Sequence, residues 1–325
     1  MGRSGVLGLA RSESIGDQCA PWGANLAFRR QTRRMAKVGT DWELVEHRPP
    51  APLESIVQSC HGYWQDGAEP GRHRGLPSPT LTLIVTIDQP LELESHPDPA
   101  QPADRYPTLV GGLHTRPAIV RHDGRQHGIQ LGLGPLGARL LFGVPAGELA
   151  GLDLNADQVL GQVAAELHDR VAEAADWPQR FAALDLVLGR LVAARQTRGG
   201  AVSRTVGYAW NRLLRGGTSV RELADELGWS QRHLASRFGQ EVGLSPRAAV
   251  KVVRFDRARR ALADRVTDGA PADLAGLAAD HGYYDQAHLA RDFRELAGCS
   301  PSRWLAEEFR IVQAPDDGHR AGCSA

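Results

Sequence analysis

The chain has 325 residues, with 38 basic residues against 38 acidic ones and a hydrophobic content of 42%. This balance excludes a global positive field that would draw in nucleic acid, and no apolar run reaches the roughly 18 residues of a membrane helix. Two domains are expected, because single cores rarely grow past about 250–300 residues.

Residues 1–38 show no periodicity and carry a short basic run, Arg29, Arg30, Arg33 and Arg34. They read either as a disordered arm that adds phosphate contacts or as a mis-assigned extension ahead of a true start at Met35. The second reading is favoured, because nothing before Met35 can bury a core. Gly5 to Ala10 is too short for a signal peptide and is followed at once by Arg11. Cys19, Cys60, Cys299 and Cys323 stand far apart with no paired spacing. That pattern suits a reducing compartment, so a soluble cytoplasmic protein is expected, with no membrane partner.

Residues 39–150 read as β. Thr80 to Ile87 alternates in the period of a strand, and the runs Thr108 to Leu113, Ala118 to Arg121 and Gly128 to Leu133 are broken by Gly, Pro and Asp. A small barrel or curled sheet follows, with Pro97-Asp98-Pro99 and Gln101-Pro102 marking a surface loop. Residues 151–197 read as a helical pair. One stripe runs through Val159, Leu160, Val163, Leu167 and Val171, the other through Phe181, Leu184, Leu188 and Leu191, with Trp177-Pro178 between them. The pair either caps the core of the β half or joins two copies into a homodimer.

Residues 198–312 contain an internal repeat. Leu223-Ala224, Gly228, His233-Leu234, Phe238 and Gly243-Leu244-Ser245-Pro246 return as Leu277-Ala278, Gly282, His288-Leu289, Phe293 and Gly298-Cys299-Ser300-Pro301, with one residue added in the second turn. Each copy has the features of a helix-turn-helix: an amphipathic helix, a glycine able to turn left-handed, a capping Ser230 or Asp285, and an inward pair four residues apart. Two in tandem point to double-stranded DNA. The second helix of the first copy exposes Gln231, Arg232, His233, Ser236, Arg237 and Gln240. That of the second exposes Gln286, Ala287, His288, Arg291 and Arg294. Such side chains donate to or accept from base edges and phosphates, and the two unlike faces predict unequal half-sites. Between the copies, Arg247 to Leu262 reads as a connecting helix with Pro246 in its first turn. Residues 231–260 hold eight basic residues against two acidic ones, a positive band that is either a phosphate track or a solvated helix face. Residues 313–325 read as a disordered tail.

On these motifs, residues 201–310 resemble the DNA-binding domain of the AraC/XylS family of bacterial transcription regulators. The stretch Gly282-Tyr283-Tyr284-Asp285-Gln286-Ala287-His288-Leu289-Ala290-Arg291-Asp292-Phe293 carries most of the likeness. Arg237 departs from the family's usual apolar residue before the Phe, which places this flank partly in solvent, within reach of a phosphate. The N-terminal half resembles more loosely a cupin-like sensor found in one uncharacterised branch of the same family. Arg48-Pro49-Pro50, Tyr63-Trp64 and the segment from Gly134 to Arg139 carry that likeness. The fold class expected is two-domain α+β: a cupin-like β-barrel with a helical pair, then an all-α tandem helix-turn-helix domain. The resemblance implies a promoter- or operator-binding regulator with a small-molecule effector of unknown identity, RNA polymerase as an optional contact, and no cofactor.

Two alternatives remain open. A cupin-type enzyme with a regulatory domain would need converging ligands, and His114, His122 and His127 lack the His-x-His spacing of such metal sites. Cys60-His61 raises the question of a nucleophile, yet neighbours on a strand point to opposite faces. Neither a catalytic nor a metal residue is therefore assigned. The other alternative is a helical protein-interaction module that does not bind DNA. Tyr63, Trp64, Arg74 and His114 are candidate pocket residues by type alone.

Overall fold

The computed structural model describes residues 33–37, 40–196 and 203–308. Strands β1 (Arg33–Lys37) and β2 (Thr40–Glu46) are followed by a short helix α1 (Ala51–Glu54) and by β3 (Val57–Asp66), β4 (Gly71–Gly75), β5 (Leu81–Thr86) and β6 (Leu91–Ser95). Next come β7 (Asp104–Tyr106), β8 (Thr108–Gly111), β9 (Ala118–His122) and β10 (Gln126–Leu133), then helix α2 (Ala138–Phe142), a 3-10 turn at Ala146–Leu149 and β11 (Asp153–Asn155).

The barrel expected from sequence does not close. The strands form two open antiparallel sheets, one of seven strands ordered β1-β2-β3-β10-β5-β8-β11 and one of four ordered β4-β9-β6-β7. All six residues of β5 are buried. Leu81, Leu83 and Val85 join the large core beneath the helices, while Ile84 faces Leu93, Tyr106, Ala118 and Val120 between the sheets. A strand covered on both faces needs apolar residues at both parities, which is what Ile84 supplies among the threonines. The expected surface loop around Pro97 to Pro102 joins β6 to β7.

Residues 1–32 of the expected N-terminal extension lie outside the described residues, as do the tail 313–325, Cys19 and Cys323. Arg33–Lys37, which the sequence reading assigned to the extension, instead form a strand paired antiparallel with β2.

Helices α3 (Asp157–Leu160), α4 (Gln162–Glu173) and α5 (Trp177–Gln196) cover the large sheet. Their stripes are spent there: Leu167, Val171, Phe181, Leu184, Leu188 and Val192 all belong to the core shared with β5 and β10. The Trp177 indole donates to Glu43 at 3.0 Å and His47 stacks on Phe181 at 4.3 Å, which fixes α5 across β2 and β3.

The C-terminal domain comprises α6 (Arg204–Arg215), α7 (Val220–Glu226), α8 (Gln231–Val242), α9 (Pro246–Thr267), α10 (Leu274–Asp280), α11 (Gln286–Ala297) and α12 (Pro301–Glu308). Each half is built on an aromatic pair. Trp210 of α6 packs on Phe238 of α8 at 6.0 Å, and Trp304 of α12 packs on Phe293 of α11 at 5.8 Å. Phe255 of α9 meets Phe293 edge-on at 5.0 Å, so the connecting helix is bound to the second half.

His61 on β3 is 4% exposed, and burial together with the Arg260 cation of α9 lowers its pKa to about 4. A folded-state pKa below the unfolded one means that the unfolded chain binds more protons between the two values, so this contribution to stability falls as pH drops from about 6.5 to 4. We expect acidification over that range to cost about 2–3 kcal/mol through His61. Thermal melts of wild type and His61→Gln across the range check this: the variant should show the shallower pH slope.

Candidate nucleic-acid interface

The first head is α7 and α8. Gly228 turns the chain at φ 65°, and the Ser230 hydroxyl accepts from the His233 backbone N–H at 3.1 Å, starting α8. Leu234 and Phe238 are fully buried beneath it. Gln231, Arg232, His233, Ser236, Arg237 and Gln240 are all exposed, as the 100° spacing predicts. His233 stands edge-on against Trp229 at 4.6 Å, and Arg237 donates to Gln240 at 3.4 Å.

The second head, α10 and α11, repeats the construction. Gly282 turns at φ 70°, and Asp285 accepts from the His288 backbone N–H at 2.7 Å. Gln286, Ala287, Arg291 and Arg294 are exposed along α11. His288 departs from its expected place among them. It is half-buried, and its Nε2 accepts from Arg254 of α9 at 3.2 Å, while Arg254 also holds Asp292 at 2.7 Å and lies over the Tyr283 ring at 4.4 Å. An imidazole engaged inward by a donor from the connecting helix braces the head. The sequence reading passed over Tyr284, which is 93% exposed just before the cap of α11. It is the residue by which the second turn exceeds the first, and that one-residue excess was the available signal.

The positive band is largely structural. Lys251 pairs with Asp292 at 3.4 Å and Glu295 at 2.5 Å, Arg259 and Arg260 grip Asp256 at 2.6 and 2.9 Å, and Arg257 donates to the Leu214 carbonyl. With Arg254 committed to His288 and Asp292, five of the eight cations are engaged within the domain. Arg232, Arg237, Arg291 and Arg294 are the exposed cations on the two second helices.

The C-terminal end of α8 is not free. Glu241, buried and at the helix end whose partial charge is negative, is held by a bidentate pair from Arg139 of α2, both contacts at 3.0 Å. Beside it Gly147 lies so close to α8 that a Cβ would come within 2.3 Å of the Gln240 carbonyl oxygen and 2.6 Å of that of Gly239. A second contact joins Arg74 of β4 to Glu307 and, through its backbone N–H at 3.3 Å, to Glu308. Arg74 is thus a residue of the domain seam rather than of a pocket. The residue pair Arg139–Glu241 is 102 positions apart, beyond any spacing rule, although Arg139 ends the Gly134–Arg139 segment noted above.

The remaining candidates scatter. Cys60 faces the apolar core, where burial pushes its thiol up, while His61 is paired across to Gln130 and held neutral. Neither the thiolate nor the imidazolium of a reactive couple is favoured there. His127 bonds Asp88 at 2.8 Å and accepts from Arg180 at 3.2 Å, His114 bonds the Arg116 carbonyl at 2.5 Å, and His122 packs near His73. Among the described residues no group of three or more His, Cys, Asp or Glu side chains is placed to hold a metal ion. Tyr63 is turned toward Gly128, and burial raises its hydroxyl pKa. No helix among the described residues is long and apolar enough to cross a membrane.

Residues 223–307, spanning both heads, match the family model described as a helix-turn-helix domain. Residues 223–307 are an AraC-type helix-turn-helix domain. Domains of this type bind DNA in transcription regulation. Residues 45–155 match a domain of unknown function, DUF6597. No curated protein matches the chain. Among solved structures, the chain is similar to ToxT from Vibrio cholerae O395, at 9% identity and TM-score 0.43, over 86% of this chain and 100% of that one. The AraC-like transcriptional activator CuxR matches at 15% identity and TM-score 0.32, over 71% of this chain and 85% of that one. Likeness at these scores carries no inference about ligands.

In the AraC-type domain we expect Arg291→Ala to lower affinity for its own half-site by about 1–3 kcal/mol, with little loss on random duplex, if the guanidinium is bidentate to guanine. Equal losses on both would make it a phosphate contact. His288→Ala should instead lower the melting temperature and weaken specific and random duplexes by the same factor. Fluorescence anisotropy on both duplexes, with thermal melts, reads all of these outcomes.

Proposed function

We propose that this chain is a sequence-specific, promoter-binding transcription regulator whose N-terminal β domain controls the first reading helix in response to a small molecule. The observation that carries this is the clamp on α8. Helix α8 bears the exposed Gln231, Arg232, Ser236 and Gln240 along its length, while its C-terminal end is held by Arg139 and abutted by Gly147 of the other domain. A ligand that shifts α2 or the Ala146–Leu149 turn therefore acts directly on a DNA-reading element, which gives it different affinities for two states of the protein.

Support for the heads comes from the rigid element that joins them, the 22-residue helix α9, to which the second head is fixed through Lys251, Arg254 and Phe255. Four exposed arginines, Arg232, Arg237, Arg291 and Arg294, then supply phosphate and base contacts from both heads.

A small-molecule effector is favoured over a homodimer. The stripes of α4 and α5 are consumed by the large sheet, whereas a cleft of about 520 Å³ opens between the domains. Ser95, Gln101 and Arg116 line one wall and Glu295 and Gly298 the other. A ligand seated there touches the β domain and the end of α11, so it reaches the clamp on α8 only by shifting the two domains at their seam. Among the described residues no group of three or more His, Cys, Asp or Glu side chains supports the enzyme reading, and the interaction-module reading predicts that Arg232→Ala and Arg291→Ala leave every activity unchanged. Contact with RNA polymerase is compatible with the reading and no residue here argues for it.

The test is a salt series of anisotropy titrations of the full chain on promoter fragments from upstream of its own gene. Preference over random duplex by about a hundredfold or more, with a steep salt slope, is expected. Binding no better than to random duplex overturns the reading. Arg139→Ala should leave a poorly paired carboxylate at the seam and cost about 1–3 kcal/mol, less than the roughly 3–5 kcal/mol of a fully buried pair because Arg139 is 31% exposed. Hydrogen exchange should then quicken in α8 and in the Ala146–Leu149 turn while α10 and α11 keep their protection. Unchanged exchange in α8 removes the clamp.

A further inference from the structure

We propose that Tyr284 reads the 5-methyl group of a thymine in the half-site of the second head, acting with the methyl of Ala287. This rests on the reading above, that α11 enters a major groove. Among the described residues, Tyr284 at 93% exposure far exceeds the other exposed large apolar side chains, Leu186 at 51% and Tyr208 at 44%. The turn that carries it is firmly held. Tyr283 on one side is buried under the Arg254 guanidinium at 4.4 Å, and Asp285 on the other caps the helix through the His288 N–H at 2.7 Å. A backbone pinned on both sides presents the phenol ring to solvent at low entropic cost on binding.

Its place and company select the ligand. Tyr284 stands at the N-terminal end of α11, the part of a reading helix that meets base edges, with Gln286 and Ala287 exposed beside it. The thymine methyl is the apolar group that base pairs offer in the major groove, and a Gln amide suits the N6 and N7 of adenine. An apolar ring and methyl flanking a Gln therefore fit A·T pairs at that end of the half-site. The first head has no counterpart. Its turn passes from Trp229, packed edge-on against His233 at 4.6 Å, straight to the capping Ser230.

The experiment selects a duplex from a randomised pool with the full wild-type chain, then replaces the thymines of the second half-site one at a time with deoxyuridine, which removes only the methyl. Wild type should lose about fourfold in affinity at one position, the worth of one buried methyl. Tyr284→Ala should bind the thymine duplex more weakly by a similar factor and lose nothing further on deoxyuridine, while Tyr284→Phe should behave as wild type. Full methyl discrimination in Tyr284→Ala overturns the proposal. A loss in Tyr284→Phe equal to that in Tyr284→Ala overturns it too, by moving the contact to the hydroxyl and a phosphate. Selection of a duplex that is sensitive to Arg291→Ala but to no thymine methyl in that half-site sinks the proposal and leaves the DNA-binding reading standing. Failure to select any duplex removes both.

Discussion

A buried carboxylate at the wrong end of a helix organises this molecule. Glu241 sits where the partial charge of α8 is already negative, so it is stable there only because Arg139 reaches across from the other domain with two hydrogen bonds. The same approach requires a glycine at 147, since any side chain would strike the carbonyls of Gly239 and Gln240. The first head is therefore built as part of a joint. Its exposed polar residues and its contact with the N-terminal domain lie on one short helix.

The two heads differ in how they are braced. The first is tied to the N-terminal domain through α8, the second to the connecting helix through Arg254, His288, Asp292 and Lys251. Charge that the sequence presents as a uniform positive band is divided between these tasks. Cations of α9 satisfy carboxylates inside the domain, where leaving Asp256 or Asp292 unpaired would be costly, and the exposed arginines of α8 and α11 remain to meet an anion. A balanced net charge is compatible with DNA binding on these terms, because what counts is the local set of uncommitted cations.

Much of the C-terminal domain was legible in the sequence. Ser230, Asp285, Gly228 and Gly282 act within four residues of where they stand, and Leu234 with Phe238 or Leu289 with Phe293 pack at helical spacing. The N-terminal half was legible as strands and helices but not as an assembly. Short runs broken by Gly and Pro suit a barrel and a pair of sheets equally, since closure depends on which distant strands pair. His288 shows the same limit at a single residue: helical spacing put it near the exposed side, and Arg254, 34 positions away, turned it inward.

By itself the sequence determined the helical pair, the tandem repeat and most of the side chains that α8 and α11 display. Those follow from caps, turns and periodicities that operate over a few residues, where chain connectivity alone brings the groups together. Tertiary structure decided that the β half is two open sheets, that Arg139 and Gly147 meet α8, that most cations of α9 are engaged internally and that Tyr284 stands clear of the protein. Each of these depends on contacts closed over tens to hundreds of residues, and such pairings are chosen by the packing of the whole core, which no local spacing encodes.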